Sequence, residues 1–139
     1  MLIAQISDFH LKSEGTLAYD VADTATPLKR AVEHINRLNP IPDLVLVTGD
    51  LVDEGASESY ICLSRILSGL RPPFIIVPGN HDHKESLRKA FPEHDYLHRC
   101  LEERGENYIC FTLENFPLRL IGLDTVTPGE HGGGFGPKR

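Results

Sequence analysis

Three short segments of the sequence combine carboxylate, imidazole and amide side chains at close spacing. Each follows a run of apolar residues, and together they supply Asp8, His10, Asp50, Asn80 and His81. A mixture of oxygen and nitrogen ligands suits borderline transition-metal ions. Carboxylates that approach one another repel unless a proton or a cation lies between them. The segments therefore predict a metal site if the fold brings them together; taken singly, each aspartate could equally form a turn after a strand.

The apolar runs that precede these segments predict buried strands. They span residues 2–6, 44–48 and 74–77 and consist mainly of aliphatic side chains. We expect a helix in each interval, the first capped by Thr26 and the second by Ser57. Strands and helices that alternate at this spacing favour parallel pairing. Because the carboxyl ends of parallel strands share one edge of a sheet, the three polar segments are expected to meet there.

The rest of the chain follows a different pattern. Two apolar runs over residues 108–113 and 118–123 flank a turn and predict an antiparallel hairpin. The predicted fold class is therefore α/β, with a largely parallel first sheet plus a hairpin. A length of 139 residues fits a single domain over 1–139.

The composition narrows the class of protein further. The 14 Lys and Arg residues against 20 Asp and Glu give a net charge of −6, which argues against a nucleic-acid partner. No apolar run reaches the roughly 18 residues of a membrane-spanning helix, and the N-terminus has no basic leader. We therefore expect a cytoplasmic protein without a membrane partner. The 3 widely spaced cysteines argue against a disulfide framework.

Three motifs resemble, in this order, the first three signature motifs of the calcineurin-like metallophosphoesterases. They are Asp8-x-His10, Gly49-Asp50-x-x-Asp53 and Gly79-Asn80-His81-Asp82. The longer strings around them are similar to those of the bacterial class III cyclic-nucleotide phosphodiesterases, a branch that also includes glycerophosphodiesterases. The resemblance runs from the first strand to the end of the chain. It implies the amino-terminal part of a metallophosphoesterase fold, which is an αββα sandwich.

The resemblance also implies a role for each matching residue. Asp8 and His10 would bind the first metal ion. Asp50 would bridge two ions, Asn80 would bind the second, and His81 would be the catalytic residue beside the phosphate. The cofactors would be two divalent or trivalent ions of iron, manganese, zinc or cobalt, and a metal-activated hydroxide would attack a small phosphodiester substrate. The resemblance favours 3',5'-cyclic nucleotides as substrates, with glycerophosphodiesters as the alternative.

Three further residues are weaker candidates for contacting substrate or orienting a ligand. Asp53 could orient a ligand or merely precede the second helix. Tyr19 could contact substrate or only pack, and Thr125 could reach the same edge after the last predicted strand. Asp82 is expected to be structural and to bond local backbone amides.

The sequence departs from the family pattern in its last part. The family completes its site with a later histidine and a Gly-His-x-His segment; this sequence has neither, and His131 matches no expected ligand. A fragment of a longer enzyme, a natural truncation without activity, or a second copy that completes the site would each explain this. We favour the fragment, incomplete at its C-terminus. The 139-residue chain alone is expected to bind metal weakly and to hydrolyse slowly, if at all.

Two hypotheses from other functional classes stay open at this point. A truncated, non-catalytic metal- or nucleotide-binding module would explain the missing histidines and would take up metal without turnover. An ordinary doubly wound nucleotide domain would need no metal, but the sequence lacks a Gly-x-Gly-x-x-Gly loop and a P-loop. Relatives in this branch often pair through a later segment, so a homo-oligomer is also compatible with the resemblance.

Overall fold

Three parallel strands carry the candidate residues at their carboxyl ends. The computed structural model describes residues 1–13, 15–17, 22–99, 108–127 and 132–134. The strands are β1 (Ile3–Ser7), β2 (Leu44–Thr48) and β3 (Phe74–Val77), and they lie in the order β1-β2-β3. The last residues of the three strands are in register, with Ser7 opposite Thr48 and Thr48 opposite Val77. The predicted parallel sheet is confirmed.

Two helices return the chain from one strand to the next. Helix α1 spans Ala25–Arg37 and helix α2 spans Ser57–Leu67. The predicted cap of α1 is wrong: Asp23 Oδ1 accepts hydrogen bonds from the backbone N–H groups of Ala25 at 3.0 Å and Thr26 at 3.1 Å. An aspartate in this position satisfies two of the unpaired N–H groups of the first turn, so α1 begins before Thr26. Helix α2 has no side-chain cap, and Ser57 is its first residue.

The core lies between the sheet and these helices. Helix α1 buries Leu28, Val32 and Ile35, which are members of the predicted apolar face. Strand β2 is largely buried, but β1 is only partly so, which corrects the prediction of a buried first strand. In the part of the chain that the structure describes, β1 has one neighbouring strand whereas β2 has two. Burial of a strand depends on its place in the sheet as much as on its composition.

A side chain forms a hydrogen bond with strand β3, which lies at the end of the sheet opposite β1. The Ile76 N–H group of β3 donates a hydrogen bond to Tyr96 Oη at 2.8 Å. Tyr96 belongs to a short 3-10 helix over Asp95–His98, and burial raises the pKa of its hydroxyl group. This hydroxyl therefore satisfies a backbone donor that a further strand would otherwise pair.

The hairpin follows as a separate two-stranded sheet. Strands β4 (Phe111–Leu113) and β5 (Leu120–Gly122) pair antiparallel, with Phe111 opposite Gly122. The predicted hairpin is confirmed, although its strands are shorter than expected. Between β3 and the hairpin lies helix α3, over Lys84–Ala90. None of the helices in the described ranges is long and apolar enough to cross a membrane.

Candidate metal centre

Three loops meet beyond the carboxyl ends of the strands. We call them the first loop (residues 8–12), the second loop (residues 49–55) and the third loop (residues 78–83). The first two stay side by side, because the Asp8 N–H donates to the Gly49 carbonyl at 3.1 Å and the His10 N–H donates to the Asp50 carbonyl at 3.0 Å. The backbone pairing of β1 with β2 thus continues into the loops that contain the candidate metal ligands.

Three candidate ligands have left-handed backbone conformations. The φ angles are 58° at Asp8, 44° at His10 and 48° at Asp50. Such a conformation costs a residue with a side chain about 1–2 kcal/mol. Local strain of this kind tends to cluster at functional sites, where the surrounding structure maintains it. Its concentration on these three residues is a structural sign of function that is independent of the motif match.

The same three residues bring their ligand atoms together. One ligand atom each from Asp8, His10 and Asp50 lies within 4.8 Å of the other two. His10 Nε2 is 3.8 Å from Asp50 Oδ2. Ligand atoms around one small cation lie about 3–4 Å apart, so the cluster fits a metal ion in donor chemistry, and the His10–Asp50 separation fits in spacing. The predicted convergence of the first two loops is confirmed.

The third loop also contacts Asp50. The His81 N–H donates a hydrogen bond to Asp50 Oδ1 at 3.2 Å, and the rings of His10 and His81 are edge to face with centroids 4.8 Å apart. Asn80 directly precedes His81 in this loop and is exposed. The third loop is therefore placed at the cluster, and the ligand role of Asn80 stays a prediction.

The ring of His81 has a defined tautomer. Its Nδ1 lies 2.8 Å from the backbone carbonyl oxygen of Asp53. A carbonyl oxygen can only accept a hydrogen bond, so Nδ1 carries a hydrogen atom. Nε2 is thereby left as the atom that can accept, or after protonation donate, a proton elsewhere.

Asp82 links the second and third loops. Its carboxylate accepts hydrogen bonds from the backbone N–H groups of Gly79 at 2.8 Å and Leu51 at 3.2 Å, and from Tyr60 Oη at 3.0 Å. Tyr60 Oη in turn accepts from the His83 N–H at 2.7 Å. Burial raises the pKa of the Asp82 carboxyl group, and these donors oppose the shift. The contacts agree with the structural role expected for Asp82.

Asp53 faces the cluster from its other side. Its Oδ1 is 3.4 Å from His10 Nδ1, and His10, Asp53 and His81 form a second group whose ligand atoms lie within 4.8 Å of one another. However, Lys12 Nζ lies 2.7 Å from Asp53 Oδ2. The hydrogen bond from Lys12 lowers the pKa of Asp53, and the same contact raises the pKa of Lys12. The ammonium group of Lys12 thus already neutralises the charge of the Asp53 carboxylate. The Asp8–His10–Asp50 group is therefore the better cation site.

The two remaining candidates are not placed at the cluster. Tyr19 lies outside the described residues, as does His131. The Thr125 carbonyl accepts a hydrogen bond from the Gly134 N–H at 2.9 Å, and a Cβ atom added at Gly133 would lie 2.8 Å from Thr125 Oγ1. The contacts that place Thr125 are therefore with the 132–134 segment, and its role toward substrate stays a prediction.

A cleft adjoins the cluster between the end of β1 and the start of α1. Its volume is about 320 Å³, and Asp8, Phe9, Asp23 and Pro27 are among the residues that line it. Sites for small molecules typically have volumes of about 300–1,000 Å³ and mostly apolar walls. The cleft is therefore large enough for part or all of a small ligand, with one candidate metal ligand in its wall.

Position 79 has no room for a side chain larger than that of glycine. A Cβ atom at this position would lie 2.2 Å from Asp50 Oδ1 and 2.3 Å from the Asp50 backbone nitrogen. Gly79→Ala is therefore expected to displace Asp50 and to weaken Mn²⁺ binding by about 10-fold or more, as for a residue that supports a ligand. Isothermal titration calorimetry would measure the affinity. Gly132→Ala is the control because nothing lies within 4 Å of its added Cβ atom; equal affinities of the two variants would contradict this account of Gly79.

Comparison with known proteins extends the motif match to nearly the whole chain. The sequence model of the calcineurin-like phosphoesterases matches residues 1–135. The chain is 41% identical over 139 residues to a probable glycerophosphodiester phosphodiesterase of Arcobacter nitrofigilis, covering 100% of this chain and 49% of that protein. It is 34% identical over 129 residues to a 3',5'-cyclic adenosine monophosphate phosphodiesterase of Pseudomonas aeruginosa, covering 93% of this chain and 43% of that protein.

A third relative is named for two cyclic nucleotides, cAMP and cGMP. The chain is 32% identical over 140 aligned positions to a cAMP/cGMP dual specificity phosphodiesterase of Mycobacterium tuberculosis, covering 95% of this chain and 40% of that protein. The chain thus spans about half the length of the curated relatives it matches. Both the extent of the family match and these identities lead to one conclusion: the chain belongs to the calcineurin-like phosphoesterase family.

Proposed function

We propose that this protein supplies the amino-terminal half of the active site of a metal-dependent phosphodiesterase that acts on small substrates. The observation that carries the proposal is the convergence of Asp8, His10 and Asp50, whose ligand atoms lie within 4.8 Å of one another. Family membership and the contact between the third loop and Asp50 support it. The relatives that are named phosphodiesterases match over this same region.

The cluster divides into metal ligands and a substrate-facing group. Asp8 and His10 would hold one cation, Asn80 would hold a second, and Asp50 would bridge the two. When bound, such a pair of cations supplies a nucleophile at neutral pH and neutralises charge on the phosphoryl oxygens. The loops contribute the rigid placement of the ligands, since backbone hydrogen bonds fix the first loop against the second.

His81 would act on the phosphate through Nε2. The Asp53 carbonyl oxygen holds the Nδ1 hydrogen, so the proton that His81 gains or loses is on Nε2. A protonated Nε2 can donate a hydrogen bond to a phosphoryl oxygen or a proton to the leaving oxygen. Removal of His81 is thus expected to affect the chemical step more than metal uptake.

Two substrate classes are compatible with these observations. The cleft beside Asp8 has a volume of about 320 Å³, which is enough for part of a small ligand and does not distinguish the two classes. The sequence motifs favour a 3',5'-cyclic nucleotide, and two relatives are named for such substrates. The relative with 41% identity is named a probable glycerophosphodiester phosphodiesterase, which makes a glycerophosphodiester the second candidate.

Metal removal and replacement test the proposed activity. The enzyme expressed from its complete coding region should hydrolyse bis(4-nitrophenyl) phosphate with Mn²⁺, lose this activity after chelation, and regain it when Mn²⁺ returns. Assays with cyclic AMP and with a glycerophosphodiester then decide the substrate class. Mn²⁺ uptake without hydrolysis of any of these diesters would favour the non-catalytic binding module instead.

A further inference from the structure

Lys12 has no role in the proposed function, yet it lies beside the candidate ligands. Its side chain is only 13% exposed, and its Nζ is 2.7 Å from Asp53 Oδ2 and also contacts Glu54 Oε1. The Asp53 side chain is 10% exposed, and its other oxygen faces His10 Nδ1 at 3.4 Å. Lys12, Asp53 and His10 therefore form a line of contacts that ends at a candidate metal ligand.

Considered by its charge alone, a lysine at this position is unfavourable for cation binding. An ammonium group repels a nearby cation, so simple electrostatics predicts that removal of Lys12 would tighten metal binding. A favourable effect of Lys12 must therefore come from what it does to Asp53. The ammonium neutralises this carboxylate and restrains its Oδ2, which leaves Oδ1 directed at the imidazole ring.

The imidazole ring of His10 needs such a restraint. Its Nδ1 is buried and has no hydrogen-bond partner of good geometry in the described part of the chain, and the facing atom is Asp53 Oδ1. On its other side, Nε2 is 3.8 Å from Asp50 Oδ2. A carboxylate that faces one ring nitrogen of a metal-binding histidine fixes the ring and its tautomer, and leaves the other nitrogen for the metal.

We infer that Lys12 is a positioning residue: it holds Asp53 so that this carboxylate keeps a hydrogen on His10 Nδ1 and directs Nε2 toward Asp8 and Asp50. The inference rests on the proposed function, because the orientation of His10 matters only if the ring binds a cation. It adds a residue outside the three motifs. The sign of the predicted effect on metal affinity is opposite to that expected from charge.

The tautomer of His10 gives the first test and requires no metal. At pH 8, ¹⁵N spectra of the metal-free chain report which nitrogen of the His10 ring carries the hydrogen. Wild type and Lys12→Arg should show His10 protonated on Nδ1, whereas Lys12→Met should show a mixture of both tautomers. The His10→Gln variant identifies the resonance. Thermal unfolding confirms that Lys12→Met folds, and Lys12→Gln replaces it otherwise.

Metal affinity gives the second test. Lys12→Met should bind Mn²⁺ about 10-fold more weakly, the lower end of the loss seen when support of a metal ligand is removed. Lys12→Arg should restore the affinity because it keeps the charge. In an Asp53→Asn background, Lys12→Met should cause no further loss, since Lys12 acts through this carboxylate. Lys89→Met, at an exposed lysine of α3, is the control and should bind as wild type does.

The two readouts separate this inference from the proposed function. If the wild-type enzyme from the complete coding region takes up no Mn²⁺, the proposed function fails, and the His10 tautomer alone decides the role of Lys12. If wild type binds Mn²⁺ and Lys12→Met binds it equally well or more tightly, the inference is overturned while the proposed function stands. An unchanged His10 tautomer in Lys12→Met overturns it in either case.

Discussion

Asp50→Ala is expected to lower Mn²⁺ affinity by more than about 100-fold and to abolish metal-dependent hydrolysis. Loss of residues that merely support a ligand typically costs 10–100-fold in metal affinity, and Asp50 is proposed to contact both cations. The same substitution removes the acceptor for the His81 N–H, so the third loop also loses a contact. Calorimetry of Mn²⁺ binding and hydrolysis of an aryl phosphodiester measure the two effects.

Asp50→Asn separates the charge from the hydrogen bond. The asparagine keeps an oxygen that can accept from the His81 N–H but removes the negative charge, so it should fold like wild type and still lose most of the metal affinity. Asp95→Ala removes an exposed carboxylate of the 3-10 helix and should leave binding unchanged. Wild-type Mn²⁺ affinity in Asp50→Asn would be incompatible with a ligand role for this residue.

Asp124→Ala is expected to cause the largest loss of stability. The Asp124 side chain is 0% exposed, and its Oδ2 lies 2.5 Å from Lys84 Nζ. It also accepts hydrogen bonds from the N–H groups of Ile109 at 3.0 Å and Val126 at 3.1 Å. Removal of one partner of a buried ion pair costs about 3–5 kcal/mol, because the other charge and its donors are left without compensation. Urea denaturation would give the free energy of unfolding.

An exposed ion pair provides the matched control. Arg119 Nε lies 2.6 Å from Glu114 Oε1, with the two side chains 66% and 61% exposed. Solvent screens such a pair, so Arg119→Ala should cost no more than about 1 kcal/mol. If Asp124→Ala destabilised the chain as little as Arg119→Ala does, the buried contact between Asp124 and Lys84 would not be a major contribution to stability.

The order of elements could be predicted because local pattern and topology agree. The apolar runs predict the three strands, and the helices between them imply parallel pairing. Parallel pairing in turn predicts that the candidate ligands lie at the carboxyl-terminal edge of the sheet. The predicted cap of α1 is wrong because Thr26 and Asp23 are both good capping residues, and only the path of the chain decides between them. The partial exposure of β1 could not be predicted, since composition does not say which strand lies at an edge.

The site could be predicted because parallel strands bring the three loops to one edge of the sheet. The features that the sequence did not predict have physical causes. Nothing in the sequence marks Asp8 or His10 as left-handed, because this conformation is imposed by the surrounding hydrogen bonds. The pairing of Lys12 with Asp53 depends on side-chain conformations that bring distant segments together. A basic residue two positions after His10 was the available signal for it. The buried pair of Asp124 and Lys84 likewise joins two residues that lie far apart in the sequence.

Anomalous diffraction at the manganese absorption edge tests the central claim most directly. Crystals of the protein grown with Mn²⁺ should show a manganese peak bonded to Asp8, His10 and Asp50, and a second peak that shares Asp50 and is bonded to Asn80. Manganese bound to Asp53 and His81 instead, or no manganese at the ends of β1 and β2, would contradict the metal centre and with it the proposed phosphodiesterase.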